Sequence, residues 1–186
     1  MLVGVVLTGG ASRRMGRTKA LVEIDGVPMA ARVAAALAGA GCESVVLLGG
    51  DPAELAPLTL PVLPDRHPGT GPLGGVLGAL ELYADRSDQV LIVACDLADI
   101  ASTDLSRLVQ AAAERADADV VVAHAGRVEP ACALWRTRSV DLVRRSFIAG
   151  ERAVHRVLAE LQTVEVPLPT ASLRNINTPD DLDRYP

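Results

Sequence analysis

Aromatic side chains are scarce in this chain: one Trp, two Tyr and one Phe among 186 residues. Proteins that grip single-stranded nucleic acid stack bases on aromatic platforms, so this scarcity argues against such a role. Cysteine is nearly as thin. Cys42, Cys95 and Cys132 are odd in number and form no C-x-x-C pair, which excludes a disulfide scaffold and a zinc knuckle and suits a reducing cytosol. Cys95 and Cys132 stand in apolar runs and read as small buried hydrophobes. No uncharged apolar run reaches the roughly 18 residues of a membrane span, and no basic leader precedes a long apolar segment, so no signal peptide is expected. Positive charge is not in excess either: 18 basic against 23 acidic residues leave −5. An acidic protein is a poor default binder of nucleic acid or membrane surfaces. The expected setting is the cytoplasm, with no nucleic-acid and no membrane partner.

What is abundant is aliphatic. Hydrophobic residues make up 49% of the chain, enough for a core built from Val, Leu and Ala. Apolar, β-rich runs at Leu2–Leu7, Ser44–Leu48, Pro61–Leu63, Gln89–Ala94, Ala118–His124, Ala131–Trp135 and Val164–Val166 read as strands. Helical spacing fills the intervals: Pro28–Ala40, Leu73–Ala84, a helix capped by Ser102 or Thr103 and running to Arg115, Thr137–Phe147, and Glu151–Leu161. Thr178-Pro179 caps a last turn. Alternation of this kind predicts an α/β fold with a mostly parallel central sheet. With no repeat, low-complexity tract or long linker, residues 1–186 are expected to form a single domain. The proline-rich stretch Pro52–Pro72 reads as the longest irregular region.

The first strand empties into Thr8-Gly9-Gly10-Ala11-Ser12-Arg13-Arg14-Met15-Gly16-Arg17-Thr18-Lys19. Glycines let backbone approach an anion closely, loop amides supply donors, and the arginines and lysine offset its charge. The loop is neither a Walker motif, since Lys19 follows Thr18 rather than glycine, nor a G-x-G-x-x-G dinucleotide fingerprint. A polyphosphate is the expected ligand. In open α/β sheets such ligands sit beyond the carboxyl ends of the strands, and further polar clusters fall at such ends. Asp96 follows Gln89–Ala94 and is the expected Mg²⁺ ligand, because that ion keeps most of its waters and takes one or two carboxylates plus phosphate oxygens. Asp65 lies in a loop rich in Gly and Pro and can accept hydrogen bonds from a guanine edge or a ribose hydroxyl. His67 reads as a surface residue. Alternation puts Asn175 and Asn177 on one face of an extended segment. Gly150-Glu151-Arg152 opens a helix in the locally basic C-terminal half.

Together these motifs resemble the molybdenum cofactor guanylyltransferases, within the larger nucleotidyltransferase family. Leu7-Thr8-Gly9-Gly10-Ala11-Ser12-Arg13-Arg14-Met15-Gly16 with Lys19 is similar to the signature L-x-G-G-x-S-x-R-M-G followed by lysine, and Gly71-Pro72-Leu73-x-Gly75, Cys95-Asp96 and Asn175-x-Asn177-Thr178-Pro179 match in order and spacing. The double glycine and Gly150-Glu151-Arg152 resemble the guanine-using branch. The resemblance implies a single Rossmann-like three-layer sandwich of the nucleotide-diphospho-sugar-transferase type. It also implies a reaction in which GTP and a molybdopterin-type cofactor give the guanine dinucleotide cofactor and pyrophosphate. Nucleotide contacts are then expected from Leu7, Thr8, Gly9, Gly10, Lys19, Asp65 and Asp96, catalytic roles from Arg14, Lys19 and Asp96, Mg²⁺ on Asp96, and acceptor contacts from Arg152, Asn175 and Asn177. Transient contact with proteins that deliver the cofactor or mature molybdoenzymes is a further implied partnership. The chain departs from the family pattern at Thr18, where an acid is common, at Leu97-Ala98, where a proline-containing segment is usual, and at Leu48-Gly49-Gly50, where some members carry asparagine. Two rivals stay open: a relative that uses CTP or another phosphate acceptor, and a catalytically weak paralogue that binds nucleotide or cofactor as a chaperone.

Overall fold

The structure is a computed structural model and describes residues 1–9, 18–177 and 181. Its centre is a seven-stranded sheet made from β1 (Leu2–Leu7), β4 (Ser44–Leu48), β5 (Val62–Leu63), β6 (Gln89–Ala94), β7 (Val120–His124), β8 (Val128–Arg136) and β9 (Thr163–Pro167). Their spatial order is β5-β4-β1-β6-β8-β7-β9. Only β8 runs against its neighbours; the β1–β4, β1–β6, β4–β5 and β7–β9 pairs are parallel. Strands β2 (Glu23–Ile24) and β3 (Val27–Pro28) form a separate small hairpin.

Helices cover both faces, as parallel strands require. On one side α1 (Met29–Gly39) and α4 (Ser102–Glu114) pack on Val6, Leu47, Leu91, Val93, Val121 and Leu134. On the other, α3 (Pro72–Tyr83), α5 (Val140–Ile148) and α6 (Val154–Leu158) pack on Val3, Val5, Val90, Ile92, Val120 and the fully buried Trp135. Neighbouring residues of one strand thus feed opposite layers, the two-residue period of a pleated strand. The few aromatics are no handicap, since each fully buried Val or Leu contributes about 1.5–3 kcal/mol. Cys42, Cys95 and Cys132 are buried free thiols; burial pushes Cys42 and Cys95 up to about 12.

Register decides where the site lies. Leu7 stands level with Leu48 on one side and Ala94 on the other. The chain therefore leaves three adjacent parallel strands at one height, and Thr8-Gly9, Gly49-Gly50 and Cys95-Asp96 emerge side by side.

Several elements differ from the sequence reading. Pro28 ends β3 and precedes α1 instead of opening it. Part of the expected irregular stretch folds as α2 (Pro52–Leu55), capped by the Asp51 carboxylate, which accepts from Ala53 N at 2.8 Å. Ala101 rather than Ser102 or Thr103 precedes α4, and Asp104 reaches back to the Ala101 amide at 3.2 Å. The helix expected over Glu151–Leu161 shortens to α6 because Glu151 accepts from the amides of Arg152 and Ala153, both at 2.8 Å, and holds that turn out of the helix. Thr178-Pro179 lies outside the described residues.

Candidate functional site

Three sequence motifs meet at one lysine. Lys19 Nζ donates to Asp96 Oδ2 at 2.8 Å and to Asn177 Oδ1 at 2.6 Å. Lys19 at the close of the opening motif, the end of β6 and the C-terminal asparagine segment are therefore parts of one place, although Lys19 and Asn177 are 158 residues apart. The cluster is shielded but open to a ligand, with the Lys19 and Asp96 side chains 17% and 22% exposed.

Local folding fixes each member. Asp96 sits in a tight turn beyond β6, closed by Leu97 N donating to Ala94 O at 3.2 Å. Leu97 and Ala98, which depart from the family pattern, are buried in the core. The turn is tied to α1 by Arg32 Nε, which donates to Ala98 O at 3.1 Å. Ile176 N donates to Asp96 O at 3.0 Å, and the Ile176 side chain, fully buried, joins Val22, Ile24, Met29 and Ala98. This knot orients the asparagines: with Ile176 turned inward, Asn175 and Asn177 both line one cavity of about 490 Å³. Arg127, Glu129, Thr170 and Arg174 line it too. Thr18, beside Lys19, donates its hydroxyl to the Glu54 carboxylate on α2.

Asp96 carries one conspicuous feature. Its Oδ1 is buried and has no hydrogen-bond partner among the described residues. A buried, unmatched carboxylate oxygen is costly, and a cation is the simplest group that would relieve it. Among the described residues no three His, Cys, Asp or Glu gather to cage a metal. The donor set therefore fits a hard cation held by one carboxylate, waters and phosphate oxygens.

The residues expected to contact the nucleotide form a second group. Thr8 N and Gly9 N both donate to Leu48 O, at 3.0 and 3.2 Å, and Thr8 Oγ1 donates to Gly49 O at 2.7 Å. The sequence reading expected loop amides to face a phosphate; these two are instead engaged within the fold. Leu7 O accepts from Cys95 N at 3.1 Å. Gly49, at φ +86°, lies so close that a Cβ there would stand 2.9 Å from Gly9 Cα. Only glycine allows the two strand ends to approach this way. Asp65 packs into the same corner: a Cβ on Gly9 would meet its Oδ2 at 3.4 Å, while Oδ1 accepts from His67 N at 2.9 Å.

His67 is more than a surface residue. Its Nε2 donates to Glu81 Oε2 at 3.1 Å, and Arg144 Nε donates to Glu81 Oε1 at 3.1 Å. The His67 ring also packs on Phe147, with ring centroids 4.9 Å apart, and the Arg152 guanidinium lies over that phenyl ring at 4.2 Å. Burial pushes the Glu81 carboxyl up, but hydrogen bonds and charge from His67 and Arg144 outweigh it and hold the group below its ordinary value. Arg152 thus joins the Asp65 loop through Phe147 and His67; it has no hydrogen bond or ion pair with Lys19, Asp96 or Asn177. Its own guanidinium donates to Phe147 O and Glu151 O at 2.8 and 2.6 Å. Gly10 and Arg14 lie outside the described residues.

Sequence reasoning noted Gly49 only as part of a departure from the family pattern and did not single out Glu81, Arg127, Glu129 or Arg174. Glycines directly after a strand at Gly49-Gly50 were a usable signal; the others come near the site only through tertiary packing.

The same arrangement of elements recurs in known proteins. The model of the MobA-like NTP transferase domain matches residues 4–166. A molybdenum cofactor guanylyltransferase of Rhodobacter capsulatus is 36% identical over 98% of this chain and 94% of its own length. A probable molybdenum cofactor guanylyltransferase of Mycobacterium marinum is 35% identical over 97% and 91%. Among solved structures, molybdopterin-guanine dinucleotide biosynthesis protein A from Archaeoglobus fulgidus superposes with a TM-score of 0.79 at 26% identity, covering 100% of this chain and 96% of that one. A 4-diphosphocytidyl-2C-methyl-D-erythritol synthase from Anaerococcus prevotii shares the fold, with a TM-score of 0.80 at 7% identity over 100% and 96%. With the fold, the register of the strand ends and the sequence match all in agreement, this chain belongs to the MobA-like NTP transferase family.

Proposed function

We propose that this chain is a molybdenum cofactor guanylyltransferase: it transfers GMP from GTP to the terminal phosphate of molybdopterin and releases pyrophosphate. The observation that carries the reading is the meeting of Lys19, Asp96 and Asn177, with Asp96 Oδ1 unmatched among the described residues. The near full-length likeness to proteins of that name supports the choice of nucleotide and acceptor. Residues 1–186 act as one domain. No helix among the described residues is long and apolar enough to cross a membrane, and we assign the protein to the cytoplasm.

The reaction joins one acceptor phosphate oxygen to the α-phosphorus of GTP as the bond from that phosphorus to the pyrophosphate oxygen breaks. A phosphate monoester has its second pKa at about 6, so the attacking oxygen is already ionised near neutral pH and needs no strong general base. The barrier is charge repulsion and alignment. Lys19 supplies positive charge to the phosphates and keeps Asp96 in place. Asp65, packed against Gly9, takes donors of the guanine or ribose. Asn177 and Asn175 face the acceptor, and Arg152 braces the Asp65 loop through Phe147 and approaches the acceptor when substrates are bound. Asp96 would hold a divalent cation, for which we propose Mg²⁺; when bound it offsets charge on the triphosphate and its leaving group. Gly10 and Arg14 complete the phosphate loop in this proposal. Proteins that deliver molybdopterin or receive the product are the proposed transient partners.

Pyrophosphate release measured with molybdopterin and either GTP or CTP tests the assignment. The expected outcome is Mg²⁺-dependent release with GTP and a much lower rate with CTP. Preference for CTP, or saturable GTP binding with no release, would overturn it.

A further inference from the structure

The cavity beside Asn177 has a composition that the transfer chemistry does not explain. It is open at the carboxyl edge of the sheet, between the β7–β8 hairpin and residues 170–177, and its volume of about 490 Å³ lies in the range of small-molecule sites. Two of its lining side chains are cationic, Arg127 and Arg174, and neither guanidinium has an ion pair or hydrogen bond among the described residues. Charge of that sign suits an anionic acceptor. Glu129 does not, because a carboxylate in a pocket for an anion is repelled unless it meets hydrogen-bond donors.

The placement of Glu129 is built rather than incidental. The register of β7 against β8 shifts between Val122 and Ala123, from pairing with Ala133 to pairing with Glu129. A bulge of this kind re-aims side chains and is common beside active sites. At its edge Glu129, paired with Ala123, accepts on Oε1 from Ala131 N at 3.2 Å. Neither Arg127 nor Arg174 neutralises the carboxylate, although both line the same cavity.

Resting on the function proposed above, we propose that this cavity is the subsite for the pterin of the acceptor and that Glu129 reads the ring. A pterin carries a 2-amino-4-oxopyrimidine whose ring N–H and amino group form two adjacent donors, and a carboxylate accepts such a pair side by side. Arg127 and Arg174 then balance the acceptor's negative charge, and the phosphate end points past Asn177 toward Lys19. The assignment makes Glu129 a specificity residue for the acceptor, with no part in nucleotide binding.

The test uses the full chain and a fluorescent probe, 6-hydroxymethylpterin phosphate, titrated by anisotropy in the presence of Mg²⁺ and a non-hydrolysable GTP analogue. The expected result is saturable binding that weakens at least tenfold in Glu129→Gln and in the Arg127→Ala, Arg174→Ala double variant. Affinity for the GTP analogue should stay within twofold of wild type, which also shows that each variant is folded. Glycerol phosphate, which lacks the ring, should compete equally well against wild type and Glu129→Gln. No binding of the pterin by wild type, or equal binding by wild type and Glu129→Gln, overturns the proposal while leaving guanylyl transfer intact. Normal pterin discrimination by Glu129 in a protein that releases no pyrophosphate from GTP and molybdopterin overturns the proposed function instead.

Discussion

Two aspartates stand at the carboxyl edge of the same sheet, and their surroundings differ. Asp96 is gripped on one oxygen by Lys19 and has no partner on the other among the described residues. Asp65 is fixed on one oxygen by a backbone amide and set against Gly9, with a loop held from behind by His67, Glu81 and Arg144. An unmatched, covered oxygen beside a lysine suits charge that arrives with the substrate. A braced carboxylate in a glycine-lined corner suits a neutral donor edge that must be recognised the same way each time. In the proposed function the two acids divide the work between chemistry and recognition, and each can be removed without removing the other.

The largest expected effect is at the chemical end. Asp96→Ala and Lys19→Ala should each lower kcat by about 10²–10³, the usual result of deleting one preorganised charge, with circular dichroism unchanged; near-normal turnover in either would erase the contrast. Asp65→Asn should act on the other term, raising KM for GTP by about tenfold, the equivalent of one weakened hydrogen bond to a charged group, while kcat stays close to wild type. Gly49→Ala places a Cβ against Gly9 at a positive φ and should cost about 1–3 kcal/mol of stability in a denaturant titration. It should raise KM for GTP as well, because it displaces Gly9 beside Asp65.

The smallest effect concerns the brace. Glu81→Gln should lower stability by about 1 kcal/mol near neutral pH, which corresponds to about 2–4 °C in Tm. The Glu81 carboxyl lies below its ordinary value of 4.5, so its contribution is present above that value and is lost as pH falls through the folded pKa. The gap in Tm between wild type and Glu81→Gln should therefore be open at pH 6 and narrow below about pH 4. A gap that persists in acid would mean that the carboxylate charge is not what holds the Asp65 loop.

The sequence made the chemical acid easier to read than the recognition acid. Asp96 directly follows an apolar strand, and the strand-loop order alone puts it at the edge where ligands bind. Asn175 and Asn177 were legible from alternation, and the burial of Ile176 between them is the physical reason. The strands were visible as β-rich runs, but the reversal of β8 was not, since antiparallel pairing leaves no mark in its buried run Cys132–Trp135. The Asp65 brace was also hidden. His67, Glu81, Arg144 and Phe147 come from three elements far apart in sequence, and nothing local says that a histidine in a loop will find a glutamate on the following helix. The cap of α4 went to Ala101 because Asp104 satisfies the helix start from inside the first turn. The bulge that positions Glu129 depends on a register shift that only the paired strands define.

The central claim is that the Asp96 carboxylate and Lys19 belong to a metal–triphosphate site. Electron paramagnetic resonance of Mn²⁺, used as a spin probe for Mg²⁺, tests it most directly in wild type, Asp96→Asn and Asp65→Asn. The account predicts that GTP creates a bound-Mn²⁺ signal in wild type, that Asp96→Asn abolishes it, and that Asp65→Asn regains it at higher GTP concentration. An undiminished GTP-dependent signal in Asp96→Asn would contradict the account.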